Sequence, residues 1–240
     1  TMSDPHPCHI DTSQFSKEKR QALEVAESSR DQRETSGLAA ALFAGDPDFN
    51  TIIPFAEQSE AAKSEGEHFL EKLKYLLDHE VDPDQIDQEG EIPPELIKKL
   101  GSMGAMGIKI PKKYGGLGLS QSNYSRAAML LGQYCGNLTA LLSAHQSIGV
   151  PQPLIMFGTD AQKEKYLPLF AKGNISAFAL TEEDVGSDPS KIKTEAVLNE
   201  AGTHYELNGE KLWCTNGLLA SHIVVMARTP SAKNALAMTA

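Results

Sequence analysis

The stretch Gly173-Asn174-Ile175-Ser176-Ala177-Phe178-Ala179-Leu180-Thr181-Glu182-Glu183-Asp184-Val185-Gly186-Ser187-Asp188 decides the fold, because the period of the chain changes within it. Upstream of Gly173, apolar residues recur at helical spacing; downstream, short β-branched or aromatic runs alternate with turn residues. The expected class is therefore α+β, an all-α helical part followed by a β-sheet or barrel-like part. Within the stretch, strand alternation sends Phe178 and Leu180 to one face and Ala179 and Thr181 to the other. The Gly186-Ser187 turn that follows offers backbone amides to an anion such as a phosphate.

Working outward toward the N-terminus, Thr159-Asp160-Ala161-Gln162 has capping-box order and predicts a helix that Gly173 ends. Tyr124 to Gly149 reads as a long helical stretch, either one helix or two broken near Gly136-Asn137. Pro93-Pro94 open a helix whose inner stripe is Leu96, Ile97 and Leu100 and whose stop is Gly101. Phe69, Leu70, Leu73, Leu76 and Leu77 predict one amphipathic helix from Gly66 to about Gln88. Residues 1–37 read as a polar tail, 38–173 as the helical domain and 174–240 as the β domain. Toward the C-terminus, strands are expected over 175–181, 194–198, 204–207, 212–215 and 222–227. Asn208-Gly209 between two of these runs predicts a tight hairpin. Because the sheet reads as unfinished at Ala240, we expect the chain to be a fragment.

Composition narrows the classes. The 240 residues are 40% hydrophobic and 22% charged, and no run approaches the roughly 20 apolar residues of a bilayer span. A net charge of −10 speaks against nucleic-acid binding. Cys8, Cys135 and Cys214 are odd in number and widely spaced, which supports neither a disulfide framework nor a metal site and suits a reducing compartment. The N-terminal stretch lacks an apolar signal core and mixes acids with its bases, so a bacterial cytoplasm is the first expectation and a mitochondrion the second.

Two constellations can carry chemistry. One is Phe178 to Asp188; the other is Trp213-Cys214-Thr215-Asn216-Gly217. Each places a hydroxyl and an aromatic ring on apolar β structure, which suits a planar aromatic cofactor carrying a pyrophosphate. The plain alternatives are a strand and loop in which Glu182 and Asp188 satisfy backbone donors, and a Trp213 that anchors a core. The glycines at 101–107 and 115–118 miss the G-x-G-x-x-G spacing and follow no predicted strand, so they read as caps and turns rather than a Rossmann site. His145, on a helix amid Leu and Ala, reads as a packed structural histidine rather than a catalytic base.

With their order and spacing, the Leu180-Thr181-Glu182…Gly186-Ser187-Asp188 turn and the Trp213-Cys214-Thr215-Asn216-Gly217 strand resemble the acyl-CoA dehydrogenases, most closely the very-long-chain branch. Ala144-His145-Gln146-Ser147-Ile148-Gly149 and Phe157-Gly158-Thr159 onward to Pro168 are similar to that branch too. The resemblance implies FAD held by Phe178, Ala179, Leu180, Thr181, Gly186, Ser187, Trp213, Cys214 and Thr215. It implies Thr181 at the ring's polar edge, Ser187 at the pyrophosphate and close to the thioester substrate, and Thr215 beside the reactive ring nitrogen. It further implies oxidation of a long-chain acyl-CoA to the trans-2-enoyl-CoA in fatty-acid β-oxidation, with an electron-transferring flavoprotein as acceptor. The family's catalytic base sits in a C-terminal four-helix bundle, which we expect to be missing from this chain, so no catalytic residue is expected within it. A homo-oligomer is expected for the full-length protein. An acyl-CoA oxidase shares the fold and stays open as an alternative. So does a shortened, non-catalytic binding module.

Overall fold

In the computed structural model, the described residues are 38–45, 47, 49–54, 57–229 and 236–239; the expected tail over 1–37 lies outside them. The chain divides into two compact units, residues 1–57 and 58–240. The first contains helix α1 (Leu38–Ala44) and a 3-10 turn, Phe49–Thr51.

Helix α2 spans Glu60–Glu80. The Ser59 hydroxyl accepts the Ala62 N–H at its start, and Phe69, Leu70, Leu73, Leu76 and Leu77 are buried along one face. The single helix expected to about Gln88 is two. Val81 is extended, Asp82 caps the Gln85 N–H at 3.0 Å, and Pro83 starts a separate helix α3 (Pro83–Glu89) at the one position where its missing N–H costs nothing. Helix α4 (Pro94–Ser102) buries Leu96 and Leu100 as the stripe predicts, yet Gly101 lies inside it rather than stopping it. The reason is packing: a side chain at Gly101 would meet the backbone of Gly173, so glycine permits close approach there.

Helix α5 (Gln121–Tyr134) is capped by Ser120, and α6 (Gly136–Ser143) follows after the extended residue Cys135, one residue before the expected break. A π-turn, Ala144–Ile148, leads to α7 (Pro151–Phe157). Both halves of the capping box form at α8 (Asp160–Ala171), and Gly173 reverses the chain at φ +109°. The helices enclose a core around Leu73, Met106, Leu131 and Leu138. A smaller core of Ile110, Val150, Leu167, Phe170 and Val224 joins the helices to the sheet.

The strands are β1 (Ser176–Ala179), β2 (Glu195–Leu198), β3 (Tyr205–Asn208), β4 (His222–Arg228) and β5 (Leu236–Thr239). They form a mixed sheet in the order β1-β4-β2-β3, with β5 also on β4. β1 runs parallel to β4 in the register Ser176↔His222 to Ala179↔Val225, and β2 pairs antiparallel with β3. Helices first and a small sheet second give the α+β class.

The expected hairpin at Asn208-Gly209 does not form, and residues 212–215 are not a strand. The hairpin is β2–β3, closed by Asn199, whose side-chain oxygen accepts the Thr203 N–H at 2.9 Å. After β3 the chain leaves the sheet. The Leu212 N–H donates to the Thr181 carbonyl at 2.9 Å and the Lys211 ammonium to the Leu180 carbonyl at 3.0 Å, so the end of β1 captures this segment and β3 does not.

Candidate functional site

The two constellations singled out in the sequence meet. Three successive contacts hold Lys211 to Cys214 along the end of β1: Lys211 to the Leu180 carbonyl, Leu212 to the Thr181 carbonyl, and the Cys214 thiol donating to the Phe178 carbonyl at 3.4 Å. Burial pushes the Cys214 thiol up, which keeps it protonated and a donor. Phe178 packs its ring against the smaller core, and Ala179 is buried. Leu180 and Thr181 are half-buried at the strand's exit.

Trp213 and Thr215 do not share a strand face, because the segment is a chain of turns. The Thr215 N–H donates to the Trp213 carbonyl at 3.0 Å and the Gly217 N–H to the Cys214 carbonyl at 2.9 Å; Trp213 and Asn216 both take positive φ, 56° and 67°. The consequence is a Trp213 side chain 88% exposed, so it anchors no core. Leu218, four residues on from Cys214, is fully exposed as well. Beside these residues lies a cavity of about 520 Å³, lined by Cys214, Thr215 and Leu218 on one side and by Asn137, Ala140 and Leu141 of α6 on the other.

The turn after β1 is held by Glu182. Its carboxylate accepts the Lys193 N–H at 2.7 Å, the Thr194 N–H at 2.9 Å, the Thr194 hydroxyl, and the Lys211 ammonium at 2.7 Å. Burial pushes this carboxyl up, but the combined hydrogen bonds from Lys211, Thr194 and Lys193 outweigh it and hold the group at about 2. Both partners of the Glu182–Lys211 pair are largely out of solvent, at 7% and 11% exposure. Glu182 therefore does the structural work expected of it, and Asp188 likewise accepts the Ser190 N–H at 3.2 Å. Gly186 and Ser187 sit exposed on the turn, away from the cavity lining. Among the described residues, no protein acceptor takes their N–H groups, and no protein group bonds the hydroxyls of Thr181, Ser187 or Thr215.

His145 is fully buried on the π-turn. Its Nε2–H donates to the Met106 carbonyl at 2.8 Å, while Nδ1 accepts the Ser176 N–H at 3.0 Å and faces the Ser176 hydroxyl at 2.8 Å. Desolvation lowers its pKa to about 4, with the Met106 bond opposing. A neutral, fully engaged ring behind β1 is a structural histidine. The residues that sequence reasoning missed are Lys211 and Asn216, whose partners lie 29 or more positions away.

Exposed apolar surface at Trp213 and Leu218, with the Thr181 and Thr215 hydroxyls unbonded among the described residues, fits a flat aromatic group with a polar edge. The acyl-CoA dehydrogenase N-terminal domain description matches residues 63–174, and the family's middle-domain description matches residues 177–240. The chain belongs to the acyl-CoA dehydrogenase family. It is 46% identical over 213 residues to the probable acyl-CoA dehydrogenase FadE10 of Mycobacterium tuberculosis, covering 88% of this chain and 33% of that protein. It is 35% identical over 222 residues to the mitochondrial very long-chain specific acyl-CoA dehydrogenase of Rattus norvegicus, covering 89% and 33%. A Bacillus anthracis acyl-CoA dehydrogenase complexed with FAD is similar in structure, with a TM-score of 0.57 and 36% identity over 72% of this chain and 30% of that one. The chain spans about a third of the length of these relatives.

Proposed function

We propose that this chain supplies the flavin-facing part of an FAD-dependent acyl-CoA dehydrogenase that converts a long-chain acyl-CoA to the trans-2-enoyl-CoA. The observation that carries the reading is the capture of residues 211–214 by the end of β1, which leaves the Trp213 ring exposed while its neighbours Cys214 and Thr215 line the 520 Å³ cavity. We assign Phe178, Ala179, Leu180, Thr181, Trp213, Cys214 and Thr215 to the flavin ring, and Gly186 and Ser187 to its pyrophosphate, with Ser187 also close to the thioester. Bound flavin supplies the hydride acceptor for the substrate's β-hydrogen.

The chain's own residues orient and shield. The Trp213 ring, 88% exposed, is free to cover an apolar ring face, and the Thr181 and Thr215 hydroxyls are available as donors to a polar ring edge. The α-proton needs a carboxylate of raised pKa. Glu182 is unfit, since four donors engage it and hold it at about 2; no residue of this chain is assigned as the base. Electrons then pass to an electron-transferring flavoprotein, and the full-length protein forms a homo-oligomer. We place it in a bacterial cytoplasm, on the higher identity to the mycobacterial relative than to the mitochondrial one; among the described residues no helix is long and apolar enough to cross a membrane. The helical part and the β part divide near Asn174.

Titration of the purified chain with FAD tests the reading. Trp213 is the single tryptophan, so flavin stacked on it quenches the protein's tryptophan emission. Quenching that saturates in the wild type, together with FAD co-elution in gel filtration that is lost in Trp213→Ala, supports the assignment. Folded chain that leaves emission unchanged overturns it and favours the binding module.

A further inference from the structure

The Trp213 segment has no strand neighbours of its own, so something other than a sheet ladder must fix where it lies. The Asn216 carboxamide does this. Its Nδ2 donates to the Leu141 carbonyl at 3.0 Å and to the Ser176 carbonyl at 3.4 Å. Leu141 lies in the last turn of α6, where its carbonyl also accepts the Ala144 N–H, and Ser176 opens β1. One side chain of the cavity lining thus ties the segment to both α6 and β1. The Asn216 backbone carbonyl accepts the Leu219 and Ala220 N–H groups at 3.0 and 2.9 Å, which closes the turn behind the side chain. The Ser176 end is itself rigid, since His145 engages both its N–H and its hydroxyl and the Val150 N–H donates to that hydroxyl at 3.1 Å.

We propose that Asn216 is a positioning residue of the flavin site, its carboxamide clamping residues 213–215 to α6 and β1 so that the Trp213 ring is preset before cofactor arrives. The proposal rests on the flavin reading above. Preorganised surface of this kind raises affinity by sparing the ordering that binding would otherwise demand.

The backbone of Asn216, at φ +67°, makes the test sharp. Glycine and aspartate both tolerate that conformation, whereas alanine does not. Asn216→Gly deletes the clamp and keeps the backbone; Asn216→Asp keeps shape and backbone but turns an acceptor toward two carbonyls. In time-resolved anisotropy of Trp213 without FAD, both variants should show more fast depolarisation than the wild type. Both should bind FAD about tenfold more weakly, the size of one to two lost hydrogen bonds. A purely conformational role would leave Gly and Asp like the wild type and impair Asn216→Ala alone, which overturns the proposal. Far-UV circular dichroism confirms that each variant keeps its helices. If the wild type binds no FAD, the flavin reading fails and anisotropy alone decides the clamp: freed Trp213 in the Gly and Asp variants upholds it, and unchanged Trp213 rejects it.

Discussion

Helix α8 and the segment 209–220 meet the same sheet on opposite terms. In α8 the determinants are local: Thr159 and Gln162 bond each other's backbone three residues apart, and Gly173 closes the end. In 209–220 the local signals point the wrong way. Asn208-Gly209 and the alternating Lys211-Leu212-Trp213 ask for a hairpin, yet the segment's donors go to Phe178, Leu180, Thr181 and Glu182, 29 or more positions away. A helix satisfies its own backbone, so its sequence suffices; a turn segment borrows its partners, so its shape follows theirs. That asymmetry places rigidity in α8 and adjustable chemistry in the segment, and it can be attacked from either side.

The largest effect should come from the rigid side. Phe170 of α8 is fully buried, with His145 and His222 rings 5.8 and 5.5 Å from its own. Phe170→Ala should cost about 3 to 5 kcal/mol in urea unfolding by cavity creation. A loss below about 1 kcal/mol would show that the seam between helices and sheet is loosely packed.

Next is the clip that holds the borrowed segment. Glu182→Gln leaves the Lys211 ammonium largely buried without its counter-charge, at a cost of about 3 kcal/mol. Lys211→Met in the same background should recover part of this, because it removes the orphaned charge. Failure of the second change to recover any stability would mean that the Thr194 and Lys193 bonds to Glu182, rather than the ion pair, hold the turn.

His145 adds a pH dependence with a defined sign. Its folded pKa, about 4, lies below the ordinary 6.5. The unfolded chain therefore binds a proton that the folded chain refuses, and stability present above pH 6.5 is lost as pH falls toward 4, by roughly 2 to 3 kcal/mol. His145→Asn should flatten that part of the profile. The Glu182 carboxyl acts lower, between its ordinary 4.5 and about 2, and also loses stability as pH falls. Stability that stays level from pH 7 to 5 would contradict a neutral His145 behind β1.

The sequence disclosed what is local or periodic. The stripe at Phe69, Leu73 and Leu77, the break before Gly136, the capping box and the switch to strands after Gly173 were all readable, because each is set by neighbours within a turn or two. The split of the first long helix at Asp82-Pro83 was readable too, had proline been weighed over the run of apolar spacing. The clamp at Asn216 and the clip at Lys211 were not, since an asparagine in a turn and a lysine in a strand-like run carry no mark of partners 40 or 29 positions away. Motif resemblance brought Trp213 and Thr215 to notice, while their geometry came only with the fold.

The smallest stability effect separates the two regions most cleanly. Trp213 is 88% exposed and its side chain has no bonding role, so Trp213→Ala should change unfolding free energy by no more than about 0.5 kcal/mol. Its position φ of +56° argues in the same direction, since a bulky residue held in the left-handed region is retained against local preference. An exposed indole that contributes nothing to folding, on a segment clipped and clamped from both ends, makes sense where the ring's partner is a ligand. Retained FAD affinity, read by flavin absorbance in gel filtration rather than by tryptophan emission, would sink that reasoning and leave the exposed ring without a role at the site. Lost affinity at unchanged stability would mean that the segment is built for binding and α8 for folding.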